Sequence, residues 1–89
     1  MRIKKDFVLR QIADIWVVLP LAEKTLDFTG MLTVTESGVL LWKQLEQGCD
    51  IETLVETLLN EYEVSEEKAR VDAEKFVGKL MQLGCLEAE

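Results

Sequence analysis

Eighty-nine residues, 48% of them apolar, can fill one hydrophobic core but not two, so a single domain over 1–89 is expected. One Pro, five Gly and no low-complexity tract argue against disorder and against an internal linker. The net charge of −7 is uneven: residues 1–34 hold five basic and four acidic side chains, residues 35–89 five and thirteen, and the resulting −8 repels phosphate backbones and disfavours a nucleic-acid partner.

Phe7 to Ile12 and Ile15 to Leu19 are short runs rich in β-branched and aromatic residues. The Ala13-Asp14 pair between them reads as a tight turn, which predicts an antiparallel hairpin with strands at about 7–12 and 15–20. The longest unbroken apolar run, Ile15 to Leu19, is far below the roughly 20 residues that cross a bilayer, and the charged start Met1 to Asp6 has no long apolar stretch behind it. Neither membrane insertion nor export is expected, and a cytoplasmic location follows. After Pro20 the segment Leu21 to Gly30 is mixed, ends in a turn-like Asp27-Phe28-Thr29-Gly30, and leads to a third short strand over Met31 to Val34.

Three helices follow. Thr35 is placed to cap the first, about 36–47, with Leu40, Leu41, Trp42 and Leu45 on a buried side and Gly48 as its stop. Asp50 caps the second, about 51–62, whose apolar residues Ile51, Leu54, Val55, Leu58, Leu59 and Tyr62 follow helical spacing. Ser65, followed by Glu66 and Glu67, opens the third, about 65–83, which Gly84 ends before Cys85-Leu86 pack back. The expected class is α+β, winged helix-turn-helix-like: a three-stranded antiparallel sheet followed by a three-helix bundle.

The chain has no histidine, which removes the commonest general base and the commonest zinc ligand. It has no glycine-rich phosphate loop, and its carboxylates decorate solvated helix faces. Cys49 and Cys85 lack CxxC spacing and read first as two reduced thiols, with a structural disulfide between them as the lesser alternative. No catalytic residue, metal site or cofactor is expected.

On a helical wheel the third helix has a core arc of Ala69, Ala73, Phe76, Val77, Leu80 and Leu83. One shoulder beyond it carries Val71, Gly78 and Met81 with Arg70 and Glu74 interspersed; the other carries Asp72 and Lys79. The wider apolar shoulder either packs on a neighbouring element or forms a groove. A mid-helix glycine, costing roughly 1 kcal/mol against alanine, is most simply explained by something approaching the helix at Gly78. If the third strand is an edge beside this shoulder, an extended peptide can add a strand to it and set apolar side chains against the helix. The candidate peptide-binding residues are therefore Met31, Leu32, Thr33, Val34, Arg70, Val71, Glu74, Gly78 and Met81.

The stretch Asp27 to Gly38, followed by Leu41-Trp42, resembles the strand-to-helix signature of PqqD-like proteins, and Ile51 to Val55, Val71 to Val77 and Leu83 to Leu86 are similar to that family's later helices. The resemblance spans essentially the whole chain. It implies a non-catalytic recognition element that binds the leader segment of a ribosomally made precursor peptide, between third strand and third helix. It also implies delivery to a modifying enzyme, often a radical SAM enzyme, without fixing the pathway as pyrroloquinoline quinone synthesis. Two other uses of such a fold stay open: a winged-helix DNA-binding module, against which the acidic balance counts, and an adaptor that forms a homodimer through its sheet edge.

Overall fold

A computed structural model describes residues 1–20 and 32–87, with Leu32 described in its backbone only. Strands β1 (Arg2–Ile3), β2 (Phe7–Ile12), β3 (Ile15–Pro20) and β4 (Leu32–Val34) precede helices α1 (Glu36–Gln47), α2 (Ile51–Glu61) and α3 (Glu66–Gln82), and β5 (Leu86–Glu87) closes the order. The hairpin, the strand ahead of α1 and the three helices fall where the sequence puts them. The mixed segment from Leu21 and the residue Met31 lie outside the described residues.

β2, β3 and β4 form one antiparallel sheet in that order, so β3 is its middle strand. That position explains why β3 loses the usual alternation and buries two consecutive residues, Val17 and Val18. Ile12 pairs with Ile15 across a two-residue turn in which Ala13 takes φ 55°, the left-handed region that a hairpin turn asks for at this place. A second sheet, absent from the sequence reading, pairs β1 with β5: Arg2 with Glu87 and Ile3 with Leu86. Each of its strands is two residues long, too short for any periodicity to register, and tertiary closure alone brings them together.

The helix starts are set by local chemistry. The side chain of Thr35 accepts from the Gly38 N–H, Asp50 from the Thr53 N–H at 2.9 Å, and Ser65 from the Lys68 N–H at 3.1 Å. The Thr53 hydroxyl adds a second bond to Asp50, and these contacts hold the Asp50 carboxyl below the usual carboxylate range. Because the folded value is lowered, the contribution of this cap is present at neutral pH and is lost as pH falls through the folded pKa. Asp50→Ala should accordingly lower the urea midpoint at pH 7, and the gap to the parent protein should narrow in acid.

The core joins both halves of the chain. Val18 from the sheet, Trp42 and Leu45 from α1, Leu54 from α2 and Ala69, Ala73 and Leu80 from α3 all have no measurable exposure. The two small alanines are what let α3 lie close against its neighbours.

Candidate binding groove

β4 is an edge strand. It pairs with β3 through Trp16–Val34, Val17–Thr33 and Val18–Leu32, and its other side meets no further strand among the described residues. Such an edge offers unpaired backbone donors and acceptors at ladder spacing. Thr35 ends the strand and caps α1, so the edge runs directly into the start of that helix.

Gly38, one turn into α1, is where strand, helix α1 and helix α3 meet. A Cβ built there would lie 2.6 Å from Val34 Cγ1 and 3.1 Å from Phe76 Cε1. Phe76 is thereby seated beside β4, half-buried, with its ring available to line the surface.

From this junction a continuous groove runs along α3. Its narrow end, about 140 Å³, is lined by Thr33, Val34, Thr35, Phe76, Lys79 and Leu80. A middle part of about 270 Å³ passes Gly38, Leu41, Leu58, Asp72 and Phe76. It opens into a cleft of about 460 Å³ between the start of α1 and the end of α2, lined by Thr35, Glu36, Ser37, Leu58, Tyr62, Val64 and Asp72. The three parts share Thr35, and neighbouring parts share Phe76 or Leu58 and Asp72, so they lie side by side; the two ends are mainly apolar and the middle is about as polar as apolar, with hydroxyls and carboxylates at the rims. A further cleft of about 470 Å³, adjoining these through Thr33 to Glu36, is bordered by Gln11, Asp14, Ile15 and Trp16 of the hairpin.

Of the residues that the sequence singled out, Thr33 and Val34 line the groove and Leu32 lies in β4 beside them. Those expected from α3 are elsewhere. Arg70 is held at 2.8 Å by Glu52 of α2, Val71 and Met81 are 40% and 58% exposed, and Glu74 is exposed. Among the described residues, Gly78 has no other heavy atom within 4 Å of where its Cβ would be, and none of them supplies a packing explanation for it.

Among the described residues, those of α3 that line the pockets beside the strand include Asp72 and Lys79, on the opposite shoulder from the one singled out on the wheel. The physical reason is the rotation of α3. Burial of Ala69, Ala73 and Leu80 fixes that rotation; the first shoulder then faces α2, where Arg70 meets Glu52, and the Phe76 ring fits the space that Gly38 leaves. Phe76, Asp72 and Lys79 are the groove residues that sequence reasoning missed. One signal was available: Phe76 is the sole aromatic residue of α3, and it sits at the edge of the apolar arc on the Asp72 side.

Reactive chemistry is sparse nearby. Cys85 is buried and its thiol is pushed up to about 11, chiefly by desolvation; burial also raises Cys49, and both thiols are unpaired. Among the described residues there is no group of three or more His, Cys, Asp or Glu placed to hold a metal ion. Nor is any described helix long and apolar enough to cross a membrane.

An edge strand laid along the last of three helices, over a continuous groove, defines an α+β domain of the winged-helix-like class. The chain belongs to the PqqD family, coenzyme PQQ synthesis protein D, whose family model matches residues 16–86. Among solved structures it is similar to TbiB1 in complex with the TbiA(beta) leader peptide, with a TM-score of 0.78 and 26% identity over 100% of this chain and 98% of that one. It is also similar to lasso peptide synthetase B1 complexed with the leader peptide, with a TM-score of 0.76 over 98% of this chain and 96% of the other. At 20% identity the second likeness speaks for the fold alone. No curated protein matches the chain.

Proposed function

We propose that this protein is a recognition element that binds the leader segment of a ribosomally synthesised precursor peptide and presents it to a modifying enzyme, without catalysing a step itself. The observation that carries this reading is an open edge strand bordering a continuous groove, in a chain of the PqqD family that superposes end to end on a leader-peptide complex. The leader adds to β4 in extended form, its backbone supplying affinity, and alternate side chains drop into the groove beside the half-buried Phe76, where selectivity arises. The absence of histidine from the sequence fits a binding role, and two unpaired thiols fit a reducing, cytoplasmic setting. The partner enzyme, a radical SAM enzyme in one version of this role, takes the peptide while it is held.

Calorimetric titration with the leader segments of candidate precursor peptides, sought among short reading frames near this gene, tests the reading. Phe76→Ala should weaken binding by about 10-fold or more, since a half-buried aromatic at the centre of a groove is the usual kind of hot spot. Gly78→Leu, on the open face of α3, should leave affinity within about 2-fold and raise helix stability by up to roughly 1 kcal/mol. No saturable heat with the parent protein would reject the reading. Equal affinities for Phe76→Ala and the parent would move the site out of this groove.

A further inference from the structure

The groove is polarised in charge, and the polarity specifies its ligand. At the narrow end the charged group on the lining is the cation of Lys79. The wide end is bordered by the carboxylates of Glu36 and Asp72, with no basic residue among the described residues that line it, and its floor is the apolar surface of Leu58, Tyr62 and Val64. Leu58 is 3% exposed and so presents a packed wall, whereas Tyr62, at 38%, turns its ring to the opening. Asp72 does have a partner, Lys68 at 3.2 Å, but that is an exposed pair one helical turn apart, with 60% and 43% of the side chains open to solvent. Pairs of this kind are worth at most a few tenths of a kcal/mol and exchange readily for a better-placed cation.

An apolar floor with carboxylates at its rim suits a long cationic side chain, whose hydrocarbon stem covers the floor while its head reaches the rim. A purely aliphatic side chain would leave two carboxylates at its border without a new partner. A carboxylate there would be repelled by Glu36, Asp72 and the net charge of −7.

We propose that the peptide segment taken by this groove carries a lysine or arginine that lies on Leu58 and Tyr62 and meets the carboxylates of Glu36 and Asp72, with an acidic residue facing Lys79. The seven-residue offset between Asp72 and Lys79 spans about 10 Å on a helix, which an extended strand covers in about three residues, so the two charges are separated by that interval. This charge pattern rests on the reading of the groove as a peptide site and adds its selectivity: it distinguishes among apolar leaders that would all pair equally well with β4.

The test is selection from a displayed library of random short peptides on immobilised full-length protein, repeated on Asp72→Lys, Lys79→Glu and Phe76→Ala. Selected peptides should be enriched in a basic residue about three positions from an acidic one. On Asp72→Lys the basic position should invert to acidic, and a synthetic peptide from the parent selection should lose about 10-fold or more in affinity, as expected for one charge contact turned from attraction to repulsion. Replacing the lysine or arginine of that peptide by glutamate should restore binding to Asp72→Lys. Peptides that bind the parent protein, fail on Phe76→Ala and show no charge preference, or the same preference on Asp72→Lys, would overturn the charge inference and leave the peptide groove standing. A library yielding no peptide sensitive to Phe76→Ala would overturn both.

Discussion

Gly38→Val is expected to lose leader binding and stability together, because the position joins the three elements that form the groove. Its first added carbon would lie 2.6 Å from a methyl of Val34, a β-branched residue that is 6% exposed and cannot swing aside, and 3.1 Å from the Phe76 ring. Either β4 shifts away from α1 or the ring leaves its seat, and both changes deform the narrow end of the groove. Overpacking of this kind costs about 1–3 kcal/mol, of which better helix propensity at a former glycine recovers less than about 1 kcal/mol. Gly38→Ala should show the same two effects at reduced size. Urea unfolding gives the stability and calorimetry under folding conditions gives the binding; a Gly38→Val protein with undiminished affinity would mean that the Phe76 seat does not matter for the ligand.

The other large effect is expected at Trp42. Its side chain is completely buried in the centre of α1, and its indole Nε1 has no hydrogen-bond partner among the described residues. Trp42→Ala removes the largest fully buried side chain and should cost about 3–5 kcal/mol, a large share of the roughly 5–15 kcal/mol by which a domain is usually stable. Trp42→Phe should be far milder. It creates a smaller cavity and also removes a buried N–H whose desolvation without a partner costs about 1–3 kcal/mol. Thermal unfolding followed by circular dichroism separates the cases, and a Phe variant as damaged as the Ala variant would show that the indole N–H is satisfied in solution.

Much of the fold was legible before any coordinates. Apolar periodicity and the three caps, Thr35, Asp50 and Ser65, located the helices, since an N-cap acts through a bond three residues away and needs no tertiary partner. The Ala13-Asp14 turn fixed the β2–β3 register for the same reason: both signals are local in sequence. The resemblance to the PqqD family, carried by Asp27 to Gly38 and the later helices, was likewise a matter of order and spacing along the chain.

What the sequence by itself determined is therefore the β2–β3 hairpin, the strand ahead of α1, the three helices, their order and the family; it also placed Thr33 and Val34, which line the candidate groove, on that strand. Only the tertiary structure decided which shoulder of α3 forms the other wall. A helical wheel gives an apolar arc with two flanks but does not say which neighbour each flank meets, which is set by packing distant in sequence: the buried Ala69, Ala73 and Leu80, and Phe76 in the space beside Gly38. The β1–β5 pairing was hidden for a related reason, since two residues carry no period and the strands are joined by the closure of the whole chain. The charge polarity of the groove belongs to the same category, because Glu36, Asp72 and Lys79 share a surface only after α1 and α3 have packed around Gly38.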